Sequence, residues 1–573
     1  MERFNRVFFR NAWRIAMPYW KSEERWSAYG LLALVVGLSL GLVYISVLIT
    51  EWYNGFYDAL QHYDEPTFWS AILRFSWLAG LYIVGYVYQT YLSEMLQIRW
   101  RRWMTHSYLK DWFAERTYYR MQILGDGTDN PDQRIANDTT DFVRSTIRLS
   151  LGLLSSVVTI ISFVAMLWTL SNRLTIPFAG HSWKIPGYLV WAALLYSVIG
   201  TWLMSKLGRP LINLSFNQQR FDADFRFNLV RVRENTESIA LYNGEDQEHK
   251  GLGDRFAFIF RNYWAIMLRQ KIINWFSSGY SQVAIIFPFL VTAPSFFAKQ
   301  IQLGLVMQIA SAFGQVQGGL SYIVTIYPEL ATWHAVVDRL SGFSEHMQGV
   351  RDVAIDHDAL THITGDDLRL QSVSLHVPDG RPLLSNLSFT VAPGETMLLT
   401  GPSGSGKSTL IRTLAGLWPF GSGEVATPAR KISLFLPQKP YLPLGSLREI
   451  LLYPHGAPDT ATDTLAEALT MVGLPRLVKS LDESKSWSLI LSLGEQQRIA
   501  FARIMLQKPQ WIYMDEATSA LDEAAEAQLY TLLRVHLPAS TVISVGHRAT
   551  LNAYHKTQLQ LSGTGSWQLV ASS

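Results

Sequence analysis

A chain of 573 residues exceeds what one ordinary hydrophobic core organises, so at least two domains are expected. Of these residues 49% are hydrophobic and only 17% are charged, against roughly 25% charged in an average soluble domain, so part of the chain faces lipid. A net charge of +3 with no basic domain argues against nucleic acid as a partner, and the absence of cysteine excludes disulfides, thiolate metal sites and a cysteine nucleophile.

Residues 1–26 mix Arg3, Arg6, Arg10 and Arg14 with aromatic side chains. They read as an amphipathic segment at a membrane interface and not as a cleavable signal peptide, because no short apolar run ends at a small-residue cleavage site. A span needs about twenty mostly apolar residues. Six stretches are expected to cross: 28–50, 68–91, 147–170, 187–207, 276–297 and 303–327. The second carries Arg74, whose long stem reaches the headgroups if it lies near an end and which at mid-bilayer would cost roughly 2.5–3.5 kcal/mol.

Positive charge sets the orientation. The loop after the first span carries Glu51, Asp58, Asp64 and Glu65 and no basic residue; the third is followed only by Arg173 and Lys184, the fifth only by Lys299. The long connection after the second span holds Arg99, Arg101, Arg102, Lys110, Arg116, Arg120, Arg134 and Arg144, and the one after the fourth is as basic. Both, with the N-terminus, are expected in the cytoplasm. Within the first, Asp129-Asn130-Pro131-Asp132-Gln133-Arg134 predicts a helix start with Asn130 as N-cap and Pro131 at the first helical position. Within the second, the stretch 235–245 predicts a helix stopped by Asn243-Gly244. Such tips are either solvated surface loops or places where a membrane domain presses on a soluble motor. The last span carries Gln308, Ser311, Gln315, Gly319 and Tyr322 on one face, which reads either as a cavity lining or as a helix-packing seam.

This places an all-α, six-helix transmembrane domain at 1–343, a polar linker at 344–365, and an α/β nucleotide-binding domain at 366–573, where short β-rich runs alternate with helical ones. The run 395–400 is a buried strand that leads into Gly401-Pro402-Ser403-Gly404-Ser405-Gly406-Lys407-Ser408-Thr409 and then a helix. That is the phosphate-loop pattern in its required strand–loop–helix setting. Backbone N–H groups of such a loop curl around phosphates at a helix N-terminus, Lys407 reaches the β- and γ-phosphates, and the Ser408 hydroxyl coordinates Mg²⁺. A second apolar strand, 511–514, ends in Asp515 and Glu516. Asp515 is placed to hold Mg²⁺ through water and Glu516 to polarise the attacking water as general base.

Leu491-Ser492-Leu493-Gly494-Glu495-Gln496-Gln497-Arg498 resembles the signature sequence of ATP-binding-cassette transporters, usually LSGGQ. On that resemblance Gln438 is the Q-loop glutamine, a further Mg²⁺ ligand, Asp522 belongs to the D-loop, and His547 is the switch histidine. It also implies that Ser492, Gly494 and Glu495 of one subunit meet the ATP held by Lys407 of another, so that a homodimer is required. Two departures stand out. Leu493 and Glu495 occupy positions where glycine and glutamine are usual, and Val377 stands where most cassettes stack an aromatic ring on adenine, which predicts weak base discrimination.

The stretches 129–135 and 237–245 resemble cytoplasmic motifs shared by peroxisomal fatty-acyl (ABCD-type) transporters and the bacterial SbmA/BacA-like group. Trp100-Arg101-Arg102-Trp103, Trp112-Phe113 and Tyr118-Tyr119-Arg120 lean toward fused bacterial proteins of the YddA type. The resemblance implies an exporter-type fold, a half-transporter in the bacterial cytoplasmic (inner) membrane, and ATP-driven movement of a peptide, a cobalamin-like molecule or another bulky solute. The solute and its direction are left open, and the alternative is a membrane-anchored ATPase that gates or regulates without moving solute.

Overall fold

The computed structural model describes residues 6–124, 130–172, 176–178, 181–183, 186–356, 360–454 and 460–571; Asp129, Arg173 and Lys184 lie outside them. Two compact units form, one of residues 1–110 and 129–344, the other of residues 111–128 and 345–573.

The first unit is helical. In chain order it contains α1 (Arg6–Trp20), α2 (Arg25–Gln61) and α3 (Glu65–Phe113). After α4 (Thr117–Leu124), which belongs to the second unit, come α5 (Pro131–Gln133), a π-helical turn (Arg134–Asp138) and α6 (Thr139–Ser171). A short hairpin, β1 (Ile176–Phe178) and β2 (His181–Trp183), precedes α7 (Tyr188–Glu234), α8 (Thr236–Tyr242), α9 (Glu245–Phe297), α10 (Leu303–Thr325) and α11 (Tyr327–Asp356). The stretches Arg25–Gln61, Glu65–Leu124, Pro131–Ser171, Tyr188–Glu234 and Glu245–Phe297 are long and apolar enough to cross a membrane. At about 1.5 Å per residue, α3, α7 and α9, with 49, 47 and 53 residues, are roughly two and a half times as long as a hydrocarbon core is thick.

The sixth expected span forms the 23-residue helix α10, but Gln308, Gln315 and Gln317 dilute its hydropathy. The reason is its place. Ile309, Ala312, Phe313 and Val316 have no exposed surface, and α10 packs against α2, α6, α7 and α9, so its surroundings are protein. Its polar face is largely a seam. Asn54 Nδ2 donates to Gln308 Oε1 at 2.9 Å, and the Thr50 and Ser311 hydroxyls lie 3.1 Å apart. A Cβ at Gly319 would sit 2.8 Å from Ile160 Cγ1, and one at Gly152 would overlap the Tyr322 hydroxyl. Only Gln315 of this face is exposed.

The tip expectations resolve differently. Asn243 closes α8 in the left-handed conformation, φ 51°, as an Asn-Gly stop requires. Asn130 does precede the helix start, but its side chain makes no cap bond. An ion cluster around a buried carboxylate organises this turn instead: Asp138, 2% exposed, accepts from Arg339 Nε (2.9 Å) and Nη2 (2.7 Å) and from Arg134 Nη1 (2.8 Å), both arginines being partly exposed.

The second unit carries β3 (Leu360–Thr364), β4 (Leu368–His376), β5 (Pro382–Val391), β6 (Thr396–Thr400), α12 (Lys407–Leu414), β7 (Gly421–Thr427), β8 (Ser433–Leu436), β9 (Gly445–Ser446) and α13 (Leu447–Leu452). It continues with α14 (Thr462–Met471), β10 (Ser484–Lys485), α15 (Trp487–Ile490), α16 (Leu493–Gln507), β11 (Trp511–Asp515), α17 (Glu523–His536), β12 (Thr541–Val545), β13 (Thr557–Leu561) and β14 (Trp567–Ala571). The segment 344–365 contains the end of α11 and β3. The main sheet runs β14-β13-β6-β12-β11-β8, parallel except for the β14 edge, and a second sheet runs β3-β7-β4-β5. Parallel strands are covered on both faces and read as unbroken apolar runs. β11 shows why: Ile512 and Met514 enter one hydrophobic cluster, with α13, α14 and α16, while Trp511 and Tyr513 enter the other, with α12.

Candidate nucleotide site

Crossovers in a parallel sheet bring loops together at the carboxyl ends of adjacent strands, where ligands bind. Here β6, β12 and β11 are neighbours. Their ends deliver the loop 401–406, His547, and the pair Asp515 and Glu516 to one place.

The loop 401–406 turns on glycines because only they fit. Gly401 has φ 147° and a Cβ there would overlap the Leu561 carbonyl; Gly406, at φ 96°, begins α12 in the left-handed region. Lys407 is 6% exposed, and its Nζ donates to the Gly401 and Pro402 carbonyls, both at 2.8 Å. Burial lowers its ammonium pKa, while Glu516 and Asp515 oppose that shift. Pro402, Ser403 and Gly404 make up the rest of the loop, Thr409 lies in the first turn of α12, and the Ser405 hydroxyl is buried without a hydrogen-bond partner. A buried donor so placed fits an incoming phosphate oxygen.

The Ser408 hydroxyl donates to Asp515 Oδ1 at 3.0 Å. Burial raises the Asp515 carboxyl pKa and the neighbouring Glu516 raises it further, against the Ser408 bond, Arg412 and Lys407. Two crowded carboxylates beside a hydroxyl fit a divalent cation, which relieves the repulsion between them.

Glu516 is gripped from both sides. Gln438 Nε2 donates to its Oε2 at 2.9 Å, and His547 Nε2 lies 3.2 Å from its Oε1. Its backbone is left-handed, φ 48°, a costly conformation for a residue with a side chain, and is tied by Glu516 N–H to the Val545 carbonyl at 3.2 Å. The carboxylate is thus aimed by a strand end, a glutamine and a histidine.

Ser492, Gly494 and Glu495 open α16 as a separate set. The Ser492 hydroxyl accepts from Glu495 N–H (3.3 Å), and Glu495 Oε2 accepts from Ser492 N–H (3.0 Å), a reciprocal cap. Asp522 caps α17 by accepting from Ala525 N–H at 2.7 Å. Val377 is half-buried in the β4–β5 turn, with its N–H donating to the Arg381 carbonyl at 3.0 Å.

Two features escaped the sequence reading. Gln497 has no exposed surface, and its amide donates to the Gln438 carbonyl (3.0 Å) and Ser519 Oγ (3.2 Å) while accepting from Ala520 N–H (3.0 Å). One side chain therefore ties α16 to the Gln438 loop and to the turn that begins with Glu516. Its only signal was its place in Glu495-Gln496-Gln497-Arg498. The second is residues 111–124, whose aromatic and basic run betrayed no docking partner. Arg116 Nη1 donates to the Ala415 (3.0 Å) and Gly416 (2.8 Å) carbonyls, at the C-terminal end of α12, and Ile123 and Leu124 pack on the α12 side of the core. The stretch that touches the phosphate-loop helix is thus 111–124, whereas Asp138 and its arginines build 134–138 into the helical unit.

Comparison with known proteins agrees with this geometry. The family described as ABC transporter transmembrane region 2 matches residues 13–297, and the family described as ABC transporter matches residues 384–519. The inner membrane ABC transporter ATP-binding protein YddA of Escherichia coli is 36% identical over 93% of each chain. The human lysosomal cobalamin transporter ABCD4 is 26% identical over 97% of this chain and 95% of its own. A bacterial Atm1-family ABC exporter solved with ATP bound shares the fold, with a TM-score of 0.70 at 18% identity, over 95% of this chain and 94% of that one. A helical transmembrane region followed in the same polypeptide by a cassette of this build makes the chain an ATP-hydrolysing member of the ABC transporter family, a fused half-transporter akin to YddA and the D-family transporters.

Proposed function

We propose that two copies of this chain close over two molecules of ATP and use hydrolysis to carry a bulky or amphipathic solute across a bacterial cytoplasmic membrane. In this reading 1–343 is the membrane domain and 366–573 the cassette, with the cassette and the N-terminus in the cytoplasm on the side of the basic connections. The observation that carries it is the Glu516 carboxylate held between Gln438 and His547 beside Ser408, Asp515 and Lys407. Lys407 exchanges its two loop carbonyls for the β- and γ-phosphates. Glu516 polarises a water whose oxygen attacks the γ-phosphorus as the bond to the β-phosphate oxygen breaks, and the water proton passes toward the carboxylate. Ser408, Asp515 and Gln438 would hold Mg²⁺, which would neutralise charge on the phosphates. His547, on the far side of Glu516, keeps the carboxylate aimed.

One chain contributes one phosphate loop and one signature segment, so a complete site needs Ser492 and Gly494 of the partner copy. Closure is transmitted through α4, fixed to the phosphate-loop helix by Arg116, and through α8, whose Leu241 and Tyr242 are exposed. The names of the relatives guide the choice of solutes: cobalamin for the human one and the inner membrane for the bacterial one. The test is ATP-dependent flux into inverted vesicles across peptides, corrinoids and lipids, beside Glu516→Gln protein. Uptake of one class that Glu516→Gln abolishes supports the proposal. ATP hydrolysis without flux of any solute, or hydrolysis by a strict monomer, refutes it.

A further inference from the structure

The start of α16 presents a puzzle of charge. One oxygen of one carboxylate, Glu495 Oε2, takes the Ser492 backbone N–H at 3.0 Å and the Ser492 hydroxyl at 3.1 Å, while the hydroxyl oxygen accepts from Glu495 N–H at 3.3 Å. These are the groups that would meet a γ-phosphate, and they already face an anion. A bare carboxylate here would cancel the partial positive charge of the helix N-terminus and repel the nucleotide tail. The other oxygen, Oε1, is paired with Arg476 Nη2, from the 3₁₀ turn Pro475–Ser480. Burial pushes the Glu495 carboxyl pKa up, but Ser492 and Arg476 outweigh it and leave it below the usual range, so the residue is ionised at neutral pH.

We propose that Arg476 is a positioning residue of the ATPase reaction, which neutralises and retains the Glu495 carboxylate so that the Ser492 hydroxyl can turn to the γ-phosphate. When the hydroxyl proton leaves Oε2, Glu495 keeps the Ser492 N–H and the guanidinium, so no charge is stranded. The usual glutamine at position 495 is neutral and needs no such counter-ion; Glu495 with Arg476 is a compensated exchange. Arg476 is two-thirds exposed, which leaves the pair open to a second copy's nucleotide. The inference rests on the reading that Ser492 and Gly494 face that nucleotide.

The experiment is steady-state ATPase kinetics of the full-length protein in nanodiscs, with Arg476→Ala, Arg476→Lys, Glu495→Gln and the double variant Arg476→Ala/Glu495→Gln. Arg476→Ala is expected to raise KM for ATP about tenfold with kcat within about twofold, the defect growing as salt is lowered. Arg476→Lys restores part of it. Glu495→Gln lowers KM, and the double variant returns to within about twofold of Glu495→Gln alone. An unchanged KM in Arg476→Ala, or a double variant as impaired as Arg476→Ala, overturns the proposal. So does a fall in melting temperature that tracks the kinetic loss and is not rescued in the double variant. Ser492→Arg separates the two levels: retained hydrolysis there sinks the shared-site reading itself, whereas lost hydrolysis beside a silent Arg476→Ala sinks only the role of Arg476.

Discussion

Exchange of Gln497 for methionine, which keeps the volume and removes every polar atom, probes how the Glu516 turn is held. The side chain makes three hydrogen bonds of 3.0–3.2 Å, to the Gln438 carbonyl, the Ser519 hydroxyl and the Ala520 N–H, and a longer, weaker one of 3.5 Å to the Glu516 carbonyl. Each of the three shorter bonds contributes about 1 kcal/mol net, since water reaches the partners once they are released, giving roughly 3 kcal/mol in all. Felt entirely in the transition state, that is about a hundredfold in rate, at 1.36 kcal/mol per decade. Because the bonds hold the Gln438 loop and the turn that begins with Glu516, and none reaches the phosphate loop, the loss should fall on turnover. The expected result is a ten- to hundredfold lower kcat with nucleotide binding, followed by a fluorescent ATP analogue, within about threefold of the parent. A kcat within twofold of the parent would refute the view that Gln497 sets the Glu516 geometry. A binding loss as large as the turnover loss would show that it supports the whole cassette instead.

Two further outcomes follow from buried charge. His555, 4% exposed, donates to the Leu551 carbonyl and accepts from Ser544, both at 2.9 Å, and burial holds its imidazole pKa down to about 4. A depressed folded-state pKa means its contribution to stability is full above about 6.5, its value when unfolded, and is lost as pH falls toward 4, at most roughly 3 kcal/mol. Cassette melting temperature should therefore fall over that window, and His555→Phe should flatten the slope; an equal slope in both proteins rejects the assignment. In the helical unit, Asp138→Asn leaves the partly exposed guanidinium groups of Arg134 and Arg339 without their buried carboxylate and should destabilise by about 2 kcal/mol. Asp138→Leu with Arg339→Met should recover part of that loss in detergent melting curves. If the double exchange melts lower than Asp138→Asn, the cluster is doing something other than balancing charge.

What could be read from residues alone was whatever depends on local order. The loop 401–409 and the strand ending in Asp515 and Glu516 are each contiguous, so motif and chemistry lie within a few residues, and apolar length marked five membrane-length helices among the described residues. α10 was harder, because a helix enclosed by other helices need not be uniformly apolar, and periodicity cannot separate a seam from a cavity. The face of α10 became a seam only when Thr50, Asn54, Gly152 and Ile160 were brought against it from α2 and α6.

The membrane-length apolar stretches, the phosphate loop and the Asp515-Glu516 pair at a strand end were set by the order of residues, since each is a property of one segment and its own propensities. The tertiary structure alone decided that β6, β12 and β11 lie side by side, that Gln438 and His547, separated by more than a hundred positions in sequence, close on one carboxylate, that Gln497 joins two loops to α16, and that Arg116 caps the end of α12. Those pairings join segments far apart along the chain, and such contacts are chosen by which packing buries the most apolar surface and satisfies the most polar groups at once, a condition no single segment carries.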